Sequence, residues 1–216
     1  MGQLNFFYGT MASGKTTLLL QSHYNLNAAF PGEVILLNKH DRSGNNVCTS
    51  RIGNAEVSVS IHDDESVIDV IRKHQDAHKM HVRHIFIDEV QFFLPRQIEE
   101  LAVIADYHDA DVHAFGLLTT YKGKLFEASK RLLELADESR QLNNEMRCWC
   151  GAKATHNALF LNDELSTEGS DIVVDRGSDI DYQVVCRKHF IEATNFKVLN
   201  KSGLDRKTAF VRSDNL

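Results

Sequence analysis

No apolar run in this sequence approaches the ~20 residues that a bilayer-spanning helix requires. The N-terminus leads straight into a strand-like segment without a basic leader. These two absences argue against a membrane span and an export signal, so cytoplasmic residence is expected, with no membrane partner. A basic arm is also missing. The 24 lysines and arginines are dispersed along the chain against 30 acidic residues, for a net charge of −6, which argues against a general affinity for the DNA or RNA backbone. There is no low-complexity tract and no internal repeat. Cysteine is scarce, with four in 216 residues, and three of them sit in a pattern that suits a metal better than a disulfide, in keeping with a reducing compartment. The fourth, Cys48, reads as a small residue in a loop.

What remains is an ordinary globular composition, 43% hydrophobic and 25% charged. The length suits one well-buried domain and a small appendage. Strand-like and helix-like segments alternate. Gln3 to Tyr8 is a short apolar strand, Lys15 to about Ala29 a helix, and Val34 to Leu37 a strand after the Pro31-Gly32 turn. Lys39 to Asn54 is polar and turn-rich and reads as a surface loop where function is expected. A strand is predicted over Val57 to Ile61, then a helix that starts in the Asp63-Asp64-Glu65 cluster and runs towards His78. Arg96 to Tyr107 reads as a helix and Val112 to Phe115 as a strand. The alternation predicts an α/β fold with a parallel sheet and helices on both faces. Past Ala136 the pattern changes. The reading is residues 1–145 as one α/β domain, 146–193 as a small metal-binding unit and 194–216 as a loose polar tail.

Gly9 to Thr16 spells GTMASGKT, a full match to G-x-x-x-x-G-K-[ST] between a strand and a helix. Gly9, Thr10, Met11, Ala12, Ser13 and Gly14 form a loop whose backbone N–H groups wrap phosphates, at the positive end of the helix that follows. Lys15 is expected on the β and γ phosphates of ATP, and Thr16 on Mg²⁺. HIFIDEVQFF, His84 to Phe93, is an apolar strand that ends abruptly in two carboxylates. Asp88 is expected to hold the magnesium shell and Glu89, aimed differently, to serve as the base. Gln91 of the same DEVQ run is grouped with the ATP and magnesium residues. A solvated acidic turn is the plainer alternative.

Cys148-Trp149-Cys150 and Cys186-Arg187-Lys188-His189 supply two ligand pairs. Three thiolates and an imidazole form a closed tetrahedral set of the kind that holds structural Zn²⁺, which would tie together a segment too small for its own core. Reduced, unligated cysteines are the alternative. His62, His74, His78, His81 and His84 read as surface or helix-face residues.

The order GTMASGKT, IDEVQFF, FGLLTTYKGKLF, the cysteine pair and DYQVVCRKHF resembles the type II thymidine kinases of bacteria and animal cytosol, over about residues 3–192. The resemblance implies a RecA-like sheet, and a zinc-stabilised lasso closing over a nucleoside. It also implies transfer of the ATP γ-phosphate to the 5′-hydroxyl of thymidine or deoxyuridine with Mg²⁺, usually in a homotetramer. The acid after the magnesium-holding aspartate is that family's general base, which matches Glu89. Its base pocket corresponds to Met11, Phe92 or Phe93, Tyr121, Phe126 and Tyr182, and a family arginine near the phosphates corresponds to Arg51. The three phenylalanines could equally be plain core, and Arg51 a solvated loop residue. Two departures bear on base preference: Asn157 stands where a threonine is common, and Arg176 interrupts a stretch that is usually small and glycine-rich. The rivals are a nucleic-acid-dependent RecA-like ATPase with a zinc ribbon, because DEVQ resembles a helicase acidic motif, and a non-catalytic nucleotide-binding regulator.

Overall fold

The computed structural model describes residues 1–39, 47–50, 53, 55–142, 145–161, 164–166 and 180–194. The chain divides into two compact units, the first Met1–Leu118 with Leu125–Asn144, the second Thr119–Lys124 with Glu145–Leu216.

The first unit contains strands β1 (Leu4–Gly9), β2 (Val34–Asn38), β3 (Val47–Thr49), β4 (Ala55–Val57), β5 (Val59–Ser60), β6 (His84–Ile87), β7 (Asp111–Leu117) and β8 (Glu138–Gln141). Its helices are α1 (Lys15–Ala29), α2 (Val67–His78), α3 (Pro95–His108) and α4 (Glu127–Leu135). Six strands form one sheet in the order β5-β2-β6-β7-β1-β8, and every pairing is parallel. The two-residue alternation of strands sorts the apolar side chains onto two faces. Leu4, Phe6, Ile35, Leu37, Ile85, Ile87, Val112 and Ala114 pack with residues of α2, α3 and α4. Val34, Leu36, Phe86 and Phe115 pack with Leu19 and Leu20 of α1. Each of the Val, Leu, Ile and Phe side chains, fully buried, contributes about 1.5–3 kcal/mol, and the double coverage explains why these strands read as continuous apolar runs.

The expected helices and the parallel sheet are present, with differences that have local causes. Helix α2 begins at Val67 and not in the acidic cluster, because the Ser66 hydroxyl accepts from the Asp69 N–H as its cap. The acids ahead of it have other partners: Glu65 Oε2 accepts from the His62 N–H at 2.9 Å, and Asp63 pairs with Lys39 at 2.5 Å. The predicted strand over Val57 to Ile61 is divided, with β4 pairing antiparallel to β3 and β5 joining β2. Strand β8, sequence ESRQ, is exposed throughout and has no apolar alternation to reveal it. The loop expected from Lys39 to Asn54 contains β3 in its described part. Residues 40–46, 51, 52 and 54, Arg51 among them, lie outside the described residues, as do Arg176 and the tail from 195.

The second unit contains β9 (His156–Leu161), β10 (Glu164–Ser166), β11 (Ile180–Val185) and α5 (Arg187–Thr194). The strands form an antiparallel sheet in the order β10-β9-β11. Among the described residues its core is small: Cys148, Ala158, Val185, Cys186 and Phe190, with Phe160 at the margin.

Candidate active site

The loop between β1 and α1 is wound tightly. Gly9 cannot be replaced without collision, because a Cβ there would lie 2.4 Å from Ser13 Oγ. Ala12 and Gly14 both adopt left-handed backbone, at φ 58° and 77°. Left-handed residues alternating with others, here either side of Ser13, turn N–H groups inward into an anion-binding concavity, and a left-handed alanine is the sort of strain that gathers at functional sites. Gly14 caps α1. Lys15 is buried at 7% exposure and its Nζ donates to the Thr10 carbonyl at 2.8 Å. Met11 is half-buried beside the loop's apex.

Asp88 follows β6 and is 5% exposed. Thr16 Oγ1 donates to its Oδ2 at 2.9 Å, and the Glu89 N–H to its Oδ1 at 3.0 Å. The hydroxyl and the carboxylate expected around magnesium, 72 residues apart in the chain, are therefore in direct contact. Cys48 Sγ donates to the same Oδ2 at 3.2 Å. This corrects the reading of Cys48 as an incidental loop residue: it lies in β3, 4% exposed, against the site's buried carboxylate. A lone cysteine 40 positions from its partner carries no sequence signal of such a contact. Burial, and then the charge of Glu89, push the Asp88 carboxyl above the usual carboxylate range, against hydrogen bonds from Cys48, Thr16 and the Glu89 backbone. A divalent cation would favour the charged form that burial opposes.

Glu89 occupies left-handed backbone at φ 52°, directly before a short 3₁₀ turn over Val90–Phe92. Its Oε2 accepts from Gln91 Nε2 at 2.5 Å, and Gln91 Oε1 accepts from the Leu117 N–H of β7 at 2.9 Å. Gln91 is buried and bridges the end of β7 to the Glu89 carboxylate. Phe92 is half-buried, edge-on to Phe126 at 6.1 Å. Phe93 is 3% exposed within the core, with Lys39 Nζ 5.4 Å from its ring centre.

In the second unit, residues 119–124 form a tight turn in which Thr120 N–H donates to the Lys124 carbonyl at 2.8 Å. Asn157 is buried and its Nδ2 donates to the Thr119 carbonyl at 3.2 Å. Tyr121 is buried with its ring 6.5 Å from that of Tyr182. Donor atoms of Cys148, Cys150, Cys186 and His189 all lie within 4.8 Å of one another. Cys148 Sγ and Cys186 Sγ are 3.2 and 3.5 Å from His189 Nδ1, and Cys150 Sγ is 3.9 Å from Cys186 Sγ. A tetrahedral zinc shell with bonds of about 2.3 Å to sulfur and 2.0–2.1 Å to nitrogen places its donors about 3.6–3.8 Å apart, so the set fits that ion. A turn supplies the first pair, with Gly151 at φ 81° and its N–H on the Cys148 carbonyl. The start of α5 supplies the second. Trp149 stacks on the His189 ring at 4.6 Å.

Comparison with known proteins identifies the family of the chain. A family model described as thymidine kinase matches residues 2–190. The chain is 39% identical to a thymidine kinase of Streptomyces coelicolor over 193 residues, 88% of each chain. It is 39% identical to one of Streptomyces avermitilis over 199 residues, with the same coverage, and 37% identical to one of Cutibacterium acnes over 193 residues, again 88% of each. The crystal structure of a Pif1 helicase from Candida albicans aligns with 65% of this chain and 36% of that one at 15% identity, but the TM-score of 0.42 is too low to weigh for or against a helicase. The phosphate loop on a six-stranded parallel sheet is a P-loop NTPase-like arrangement, and by its match over nearly the whole described chain the protein belongs to the thymidine kinase family.

Proposed function

We propose that the protein transfers the γ-phosphate of ATP to the 5′-hydroxyl of thymidine or deoxyuridine, with Glu89 as general base. The observation that carries this reading is the contact of Thr16 Oγ1 with Asp88 at 2.9 Å, with Glu89 next in the chain. The backbone of residues 9–14 and Lys15 hold the phosphates, and Thr16 and Asp88 hold Mg²⁺. The metal, when bound, neutralises charge on the β and γ phosphates. Glu89 accepts the proton of the 5′-hydroxyl as that oxygen bonds to the γ-phosphorus and the bond from the γ-phosphorus to the ADP oxygen breaks. Gln91, which is bonded both to Leu117 and to Glu89, orients the base.

Met11, Phe92, Phe93 and Phe126 in the first unit, and Tyr121, Asn157 and Tyr182 in the second, are the described residues proposed to contact the nucleoside. Arg51, outside the described residues, is proposed near the phosphates. Zn²⁺ on Cys148, Cys150, Cys186 and His189 has a structural role, since four protein ligands leave no open position. The same reading takes residues 1–145 as the kinase domain, 146–193 as the zinc-bound lasso and 194–216 as a tail, in a cytoplasmic homotetramer of the kind the family resemblance implies.

The test is ADP formation measured across the nucleosides, with and without single-stranded DNA. Turnover that requires thymidine or deoxyuridine is expected. Stimulation by DNA without nucleoside phosphorylation would overturn the proposal in favour of a nucleic-acid-dependent ATPase.

A further inference from the structure

The opposite edge of the same sheet contains a second convergence of ligand-type side chains. His84 opens β6 and Asp111 opens β7, and the parallel register sets them side by side. His113 lies two residues beyond Asp111, on the same face of β7 by the strand's alternation. One donor atom from each of the three lies within 4.8 Å of the others. From His84 to Asp88 the strand rises on the order of 13 Å, so this cluster is well separated from the phosphate loop.

The polar atoms here have unmet needs. His84 Nδ1 and His113 Nε2 are buried and make no hydrogen bond among the described residues. His84 Nδ1 stands 3.7 Å from Asp111 Oδ2, too far for a hydrogen bond. That spacing is close to the ~3.4 Å that separates donors around an ion held by bonds of about 2.0–2.1 Å. Buried groups left without partners call for an explanation such as an ion or a water. The second carboxylate oxygen is already oriented, since Asp111 Oδ1 accepts from the Gln3 N–H at 3.1 Å. Ring contacts hold the imidazoles: Phe86 stacks on His113 at 4.7 Å, and Phe30 packs on His84 at 5.4 Å. His84 and Asp111 also line a cavity of about 240 Å³ that reaches Met1 and Arg83, with room for water on a fourth coordination position. The nearby Arg83 charge is engaged by Glu33 at 2.8 Å.

We propose that His84, Asp111 and His113 form a binding site for a divalent transition-metal ion. Two imidazoles and one carboxylate suit Zn²⁺, Co²⁺, Ni²⁺ or Cu²⁺ over Mg²⁺, which prefers an all-oxygen shell. The site is independent of the cysteine set, lies wholly within the first unit, and does not rest on the kinase reading.

The test uses the untagged full chain carrying zinc on its cysteines, titrated with Co²⁺ in excess Mg²⁺. One equivalent of cobalt is expected to bind with visible d–d absorption and without the near-ultraviolet sulfur-to-cobalt bands of thiolate ligation. His113→Gln should weaken that binding by more than about 10-fold. Asp111→Asn, which retains an acceptor for the Gln3 N–H, should do the same if the glutamine variant fails to fold. His74→Gln is the control, because His74 and His78 pair on α2 with ring centres 4.2 Å apart. The proposal is overturned if cobalt enters only with thiolate bands, if Mg²⁺ displaces it, or if His74→Gln removes the binding while His113→Gln and Asp111→Asn leave it intact.

Discussion

Asp88 and Glu89 are neighbours in sequence but not in environment. Asp88 is buried under Thr16 and Cys48, whereas Glu89 is turned by left-handed backbone onto Gln91. In the proposed mechanism that separation would let one carboxylate serve a cation and leave the other for a proton. Glu89→Gln should lower the rate of thymidine phosphorylation by at least about 100-fold while equilibrium ATP binding is retained; undiminished turnover would remove Glu89 from the role of base. A second residue ties stability to pH. His23 of α1 is 7% exposed, edge-on to Phe86. Burial holds its pKa below the ordinary 6.5, against the opposing charge of Glu56. The folded state therefore binds fewer protons than the unfolded state below about pH 6.5. The stabilisation from a neutral His23 is complete above that value and is lost as pH falls through the lowered folded pKa. His23→Gln cannot take up that proton, so urea denaturation should show a shallower loss of stability on the acid side; an unchanged slope would place the dependence elsewhere.

Among the elements, the turn after β6 depends on β7. Gly116 lies against it so closely that a Cβ would meet Gln91 Oε1 at 2.5 Å and Val90 Cγ1 at 2.9 Å. Gly116→Ala must displace the segment that orients Glu89, and it is expected to cut kcat by about 10-fold or more with little change in ATP affinity. Equal losses in both would point to general disruption of the sheet. The cysteine turn and α5 are joined in a different way. Among the described residues the core they share is small, so if zinc holds them together Cys186→Ser should abolish zinc binding and cost the second unit on the order of several kcal/mol, visible as lost amide protection in β9 and β11. A metal-free variant with full protection would refute the structural role.

At the level of the whole molecule, charge and composition distinguish the kinase from a nucleic-acid-dependent ATPase. With a net charge of −6 and no clustered basic segment, nucleoside-dependent ADP formation should be unaltered by added single-stranded DNA. A steep loss of a DNA effect with rising salt is the signature of backbone binding, and its appearance would contradict this expectation. The parallel sheet also accounts for the placement of chemistry. Strand ends deliver Gly9, Asp88 and Leu117 to one edge, and strand starts deliver His84 and Asp111 to the other.

Much of this was legible in the sequence because it is local. The phosphate loop is a contiguous motif, the apolar strands announce themselves by double burial, and C-x-C and C-x-x-H each place two ligands within one turn. Strand β8 was illegible because an exposed polar edge strand has no hydrophobic period. The start of α2 was misplaced because a single serine cap outweighs an acidic run. Chain order alone determined which residue types were available for phosphate, metal and base. Only the tertiary structure decided that Cys48 would donate to Asp88, that Gln91 would bridge β7 to Glu89, and that His84, Asp111 and His113 would converge. The convergence of the two histidines and Asp111 depends on the register of β6 and β7, and Cys48 reaches Asp88 from the separate β3-β4 pair; such placements are set by the packing of the whole unit and not by any short stretch of chain.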